Sequence, residues 1–122
     1  MFSEDKYMKV ADFFKILGDS TRCKIVSALS MNEMCVGDLA NVLSMTKSSI
    51  SHQLSKMKEA GVVISRRNGK EIYYSLDDDH VAEIFELTIE HILILGQTWS
   101  LPGILILFKG RKNIKENGYI IH

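Results

Sequence analysis

Residues 46–61 read TKSSISHQLSKMKEAG, and residues 62–76 continue VVISRRNGKEIYYSL. The first segment carries Ile50, Leu54 and Met57 at i, i+4 and i+7, which predicts a helix with one apolar stripe. Its other side carries Ser48, Ser51, His52 and Ser55, short polar groups free to reach outward. Thr46 suits the N-cap of this helix, and Gly61 suits its C-terminal end. Upstream, residues 36–43 (VGDLANVL) repeat the helical pattern, with only Ser44 and Met45 in between. Two short helices joined so tightly make a helix-turn-helix, whose second helix lies in the DNA major groove.

The second segment adds a wing. Val62, Val63 and Ile64 begin a strand, and Ile72, Tyr73 and Tyr74 form a β-branched and aromatic return. Between them Asn68-Gly69 predicts a tight hairpin turn, because both positions accept positive φ. Arg66, Arg67 and Lys70 surround that turn, where phosphate contact is natural. Residues 46–71 hold six cations (Lys47, Lys56, Lys58, Arg66, Arg67, Lys70) against two acids (Glu59, Glu71). The whole chain has 15 of each sign, so this excess is local rather than compositional.

Working outward, the 122 residues predict one domain with a modest core. Hydrophobic content of 46% and charged content of 25% are ordinary for a globular chain, and the single proline, Pro102, suits a mostly helical one. Zero net charge is poor for a non-specific DNA coat, so affinity depends on where charge sits. Two cysteines give no disulfide framework, and a charged start, MFSEDKYMKV, has no apolar leader-like run; a reduced, cytoplasmic setting is expected. Residues 92–108 are apolar but contain Gln97, Thr98, Ser100 and Pro102-Gly103, and fall short of the roughly 20 residues of a membrane span. No membrane partner is expected.

The expected layout is α-α-α-α-β-β-α. A first helix over Glu4–Leu17 gathers Val10, Phe13, Phe14 and Leu17 on one face. A second, capped by Asp19 or Ser20 and running to about Met31, buries Ile25, Val26 and Leu29. After the helix-turn-helix and hairpin, a long helix following Asp77 repeats Val81, Ile84, Phe85, Thr88, Ile92 and Leu95 at helical spacing. Residues 1–96 thus form a winged helix-turn-helix domain, with 97–122 an extension of no assigned role. The two apolar end helices predict a homodimer, and a two-fold protein matches a palindromic operator.

The strings FKILGDSTRCKIVSAL (14–29), EMCVGDLANVL (33–43), SSISHQLSKMKEAGVV (48–63) and RRNGKEIYYSL (66–76) resemble the ArsR/SmtB family of metal-responsive repressors. The resemblance covers about residues 10–95. It implies a homodimeric winged helix-turn-helix repressor that releases its operator when an inducer binds. Two inducer sites recur in that family, and this chain departs from both. The thiolate site, an E-L-C-V-C-D-L string, reads EMCVGDL here: Cys35 is present and Gly37 replaces the second thiolate. Cys23 is the other sulfur, so a thiol or redox sensor would use Cys23 and Cys35; soft ions prefer two or more thiolates together.

The last-helix site follows D-x-H, ten residues, H, two residues, then Glu or His. Asp78, His80 and His91 match, with Ile94 at the fourth place. At 100° per residue His80 and His91 fall within about 20° of one face, but about 16 Å apart along the axis. One helix cannot chelate alone. Two antiparallel copies across a dyad could pair Asp78 and His80 of one protomer with the second protomer's copy of His91, a set suited to Zn(II). Asp78 equally suits a helix N-cap, since residues 77–79 sit where the helix dipole favours acids. No Lys or Arg lies between Glu71 and Phe108 to oppose a cation.

The DNA-binding set is therefore Thr46, Lys47, Ser48, Ser49, Ser51, His52, Gln53, Lys56, Arg66, Arg67 and Lys70. The serines, His52 and Gln53 approach base edges or phosphates, and the cations hold the backbone. A dimerisation adaptor without DNA contact is the reading from another class. A hydrolytic metal centre is not expected, because no nucleophile elbow, phosphate loop or paired-carboxylate cleft accompanies the histidines.

Overall fold

Side-chain caps set the helix boundaries. The computed structural model describes residues 1–96, and the expected extension over 97–122 lies outside them. Helix α1 spans Glu4–Leu17; the Ser3 hydroxyl accepts the Lys6 N–H at 3.3 Å, and Glu4 and Asp5 occupy the first turn. Helix α2 spans Ser20–Met31, with Asp19 as its cap through a 3.0 Å bond from the Arg22 N–H. Helix α3 is Val36–Leu43 and helix α4 is Lys47–Glu59. The Thr46 hydroxyl caps α4 by accepting the Ser49 N–H at 3.1 Å. Between them Ser44 takes φ 54°, the left-handed conformation that reverses the chain within three residues. Gly61 turns the chain out of α4 at φ +77°, where a side chain would be strained.

Strands β1 (Met34–Cys35), β2 (Val63–Asn68) and β3 (Glu71–Leu76) form an antiparallel sheet in the order β1-β3-β2. Two details differ from the expected layout. Strand β1 was not expected: two residues are too short to show a period of two, and its partners Tyr73 and Tyr74 lie almost forty residues away. The hairpin turn is also shifted by one residue. Asn68 pairs with Glu71, so the loop is Gly69-Lys70, with Gly69 at φ +70° and Asn68 outside the positive-φ region. That is a glycine-first loop of the type II′ kind, in which Asn68 keeps its place in the ladder.

The core sits where α2, α3, α4 and the sheet meet. Ile25, Val26, Leu39, Ile50, Leu54, Met57, Val62 and Val63 are buried. Each such aliphatic side chain contributes about 1.5–3 kcal/mol on burial. Ile50, Leu54 and Met57 are the stripe read from the sequence, so the opposite side of α4 must face outward. Helix α1 differs. None of its residues is buried, and Val10 and Phe14 are 53% and 56% exposed. Among the described residues its apolar face is only partly covered, with Phe13, Ile16 and Leu17 half-buried.

Helix α5 spans Asp79–Gly96. Asp78 Oδ1 accepts the backbone N–H of His80 at 3.0 Å and of Val81 at 3.3 Å, which starts the helix. Met1–Ala82 forms one compact unit, and from Glu83 onward α5 belongs to a second. Within that second unit Leu87 and Ile92 are exposed, and the Thr88 hydroxyl donates back to the Ile84 carbonyl at 2.8 Å. Among the described residues no helix is long and apolar enough to cross a membrane.

Candidate nucleic-acid interface and inducer residues

With Ile50, Leu54 and Met57 fully buried, helix geometry sends Ser48, Ser51, His52, Ser55 and Lys56 to the outside of α4, and all five are exposed. Thr46 is exposed with its hydroxyl engaged as the cap, and Ser49 is half-buried beside it. Lys47 leans across α3. Its Cε and Nζ stand 3.7 and 4.0 Å from where a Cβ at Gly37 would be, so the lysine stem passes within ordinary contact distance of that position. Gln53 differs from the outward residues of this helix. It is half-buried, and its Oε1 accepts a 2.9 Å hydrogen bond from Arg22 Nη1.

The wing carries Arg66, Arg67 and Lys70, all exposed. They are differently engaged. Arg66 donates two parallel bonds to Glu33, Nε to Oε2 at 2.8 Å and Nη2 to Oε1 at 2.7 Å. Its guanidinium also stands 5.4 Å from the centre of the Tyr73 ring. The bond from Arg66 holds the Glu33 carboxyl below its ordinary value, against a smaller opposing effect of desolvation, and Glu33 in turn raises Arg66. An acid held low stabilises the fold above the ordinary carboxylate range, and that contribution is lost as pH falls through its lowered value. Arg67 reaches back toward the Gly69 carbonyl at 3.5 Å, and Lys70 lies in the loop itself. Lys58 donates to the Ser65 hydroxyl at 2.8 Å and so ties α4 to β2.

Sequence reasoning missed Arg22 and Glu33, and counted Lys58 in the basic excess without giving it a role. The partners of Arg22 and Glu33 are more than thirty residues away, and no local pattern marks such pairs. The one cue was Asp19, whose cap on the Arg22 N–H fixes the start of α2 and hence the direction of that arginine.

Of the inducer residues, Asp78 and His80 stand together: His80 Nδ1 is 3.3 Å from Asp78 Oδ2, and both side chains are open to solvent. Desolvation pushes the Asp78 carboxyl up, but bonds from the His80 ring and from the Val81 and His80 backbone outweigh it, and the net shift is downward. With Nδ1 turned to the carboxylate, His80 Nε2 is left as the outward donor, the arrangement that orients a metal-binding histidine. His91 is exposed and eleven residues further along α5, about 16 Å by helix rise. Among the described residues no group of three or more His, Cys, Asp or Glu converges within one chain. Both cysteines are free thiols. Cys35 is buried on β1 opposite Tyr73, and half-buried Cys23 donates its thiol to the Leu17 carbonyl at 3.2 Å.

Comparison with known proteins agrees with this geometry. Residues 19–65 match the model of the family described as bacterial regulatory protein, arsR family. The chain is 37% identical over 92 residues to a transcriptional repressor SmtB homolog from Synechocystis sp., spanning 75% of this chain and 70% of that protein. It is 44% identical over 85 residues to a cadmium resistance transcriptional regulatory protein CadC homolog from Staphylococcus aureus, spanning 69% and 70%. A homodimeric winged helix-turn-helix DNA-binding domain from Mycobacterium bovis superposes with a TM-score of 0.71 at 27% identity, covering 82% of this chain and 96% of the other. The chain belongs to the ArsR family of bacterial regulatory proteins and is a winged helix-turn-helix regulator of transcription rather than an enzyme.

Proposed function

We propose that two copies of this chain, joined through α1 and α5, hold a palindromic operator in the cytoplasm and release it when a divalent metal binds. The observation that carries this reading is the exposed row of Ser48, Ser51 and His52 beside a basic wing, on a helix anchored by Ile50, Leu54 and Met57. Residues 1–96 are read as the functional domain, with 97–122 an extension. The bare apolar residues of α1, Val10 and Phe14, support the dimer, because a second copy would cover them.

A metal inducer is supported by the relative whose name carries cadmium resistance. Asp78, His80 and the second protomer's copy of His91 offer two oxygen or nitrogen donors on one side and one on the other. Such a donor set favours Zn(II) over softer ions. A metal that bridges two protomers prefers one dimer geometry, and the typical coupling to the DNA site is about 1–3 kcal/mol. Zinc added to the wild-type protein on a labelled duplex from its own promoter region is expected to weaken binding roughly 5- to 150-fold. Chelation reverses the effect. His80→Ala binds the duplex without zinc as before and no longer responds to it. Zinc-driven release of that variant would disprove the metal assignment.

The Glu33–Arg66 pair sets a further expectation for the wing. Glu33→Gln removes the carboxylate that competes with phosphate for the guanidinium. The log–log salt slope of duplex binding is expected to steepen by about 0.9 for each freed arginine that reaches a phosphate. An unchanged slope, measured by anisotropy at several salt concentrations, would mean that Arg66 does not reach the backbone.

A further inference from the structure

One guanidinium joins three helices. Arg22 on α2 donates through Nε to the Ile16 carbonyl at 2.6 Å and through Nη1 to Gln53 Oε1 at 2.9 Å. Ile16 lies in the last turn of α1, where carbonyls have no partner within the helix, so the arginine satisfies an otherwise open acceptor. Gln53 lies on the recognition helix α4. Arg22 and Gln53 are both half-buried, whereas the cations of the wing are exposed.

The chemistry limits what Gln53 can do. Arginine only donates, so the amide oxygen must face it, whichever way the amide group is first drawn. Reading adenine with a glutamine takes both the oxygen and the NH₂ of the amide, aimed together at the base edge, whereas here the oxygen is aimed at Arg22 on α2. The position agrees. On α4, Ser48 and His52 each lie about 160° around the axis from buried Ile50, whereas Gln53 lies only about 60° away. It sits on the flank of the helix rather than on its outward face.

We propose that Arg22 and Gln53 are a positioning pair that fixes the rotation of α4 against α1 and α2, and so sets operator specificity without touching DNA. This rests on the DNA-binding reading above. Base contacts depend on the angle at which Ser48, Ser51 and His52 are presented, whereas backbone contacts by the exposed lysines and the wing tolerate a loosened helix. Loss of the pair should therefore lower specific binding selectively.

The test compares Arg22→Gln, Gln53→Ala and Gln53→Glu with wild type. Affinity for operator and for unrelated duplex is measured over a salt series, with melting temperature alongside. Arg22→Gln and Gln53→Ala are expected to lower the specific-to-unrelated ratio about tenfold, comparable to one mismatched base pair, while the salt slope stays as in wild type. Gln53→Glu keeps an acceptor for Arg22, so the ratio is retained and both affinities fall together from the added negative charge. Loss of the ratio in Gln53→Glu as large as in Gln53→Ala would show that Gln53 itself reads DNA. A slope reduced by about 0.9 in Arg22→Gln would show that Arg22 meets a phosphate. A ratio unchanged in Gln53→Ala would also overturn the proposal. Should wild type bind neither duplex at low salt, the DNA-binding reading fails instead. If Arg22→Gln does not fold, the two Gln53 variants decide the matter.

Discussion

Leu54→Ala is expected to lower folding stability by about 2–5 kcal/mol, the usual range for truncating a buried leucine. Leu54 is fully buried at the centre of the α4 stripe, between Ile50 and Met57, in the region where α2, α3, α4 and the sheet meet. Removing a methine and two methyl carbons there leaves a cavity lined by side chains that helix and sheet geometry hold apart, so little of it can close. In a domain of about a hundred residues each kcal/mol shifts the melting temperature by roughly 4–8 °C, so a fall of at least about 8 °C is expected. Val42→Ala on the exposed side of α3 is the control, with a change within about 0.5 kcal/mol. Urea and thermal melts of the two variants give the comparison. A loss below 1 kcal/mol for Leu54→Ala would mean that the α4 stripe is not the core, and the outward assignment of Ser48, Ser51 and His52 would fall with it.

That dependence explains what could be read in the sequence. The face of α4 followed from three apolar residues at helical spacing, because a buried stripe leaves one direction for everything else. Helix starts followed from Asp19 and Thr46, whose short oxygens satisfy the first free N–H groups. Strand β1 did not follow, since Met34 and Cys35 join the sheet only because β3 presents a free edge. The turn was placed one residue early. Asn-Gly is a local preference, and the cross-strand pairing of Asn68 with Glu71 overrode it. The side-chain ties of Arg22 to Gln53 and of Arg66 to Glu33 were also invisible, because they depend on tertiary approach between segments with no shared pattern. Asp78 shows how two readings of one residue can both be physical. It caps α5 through Oδ1 while Oδ2 faces His80.

Ser48→Glu should separate fold from function most sharply. Ser48 is the second residue of α4, exposed, in a first turn that contains no acid. A carboxylate there complements the positive end of the helix dipole and should stabilise the fold by about 0.3–1 kcal/mol. In the proposed complex the same charge, placed in a groove lined by phosphates, would lose the serine contact and add repulsion. Losing the recognition of one base pair costs about 1–3 kcal/mol, so the loss over two half-sites is expected at about 2–6 kcal/mol.

The proposed function needs an anchored helix that offers its polar side, twice over, to one duplex. Its most direct test is an anisotropy titration of a palindromic duplex from the chain's own promoter region, with wild type and Ser48→Glu side by side. Saturation is predicted at two protomers per duplex for wild type, with binding by Ser48→Glu weakened by the amount above and its melting temperature undiminished. Wild-type saturation at one protomer per duplex, or equal binding by the two proteins, would contradict it.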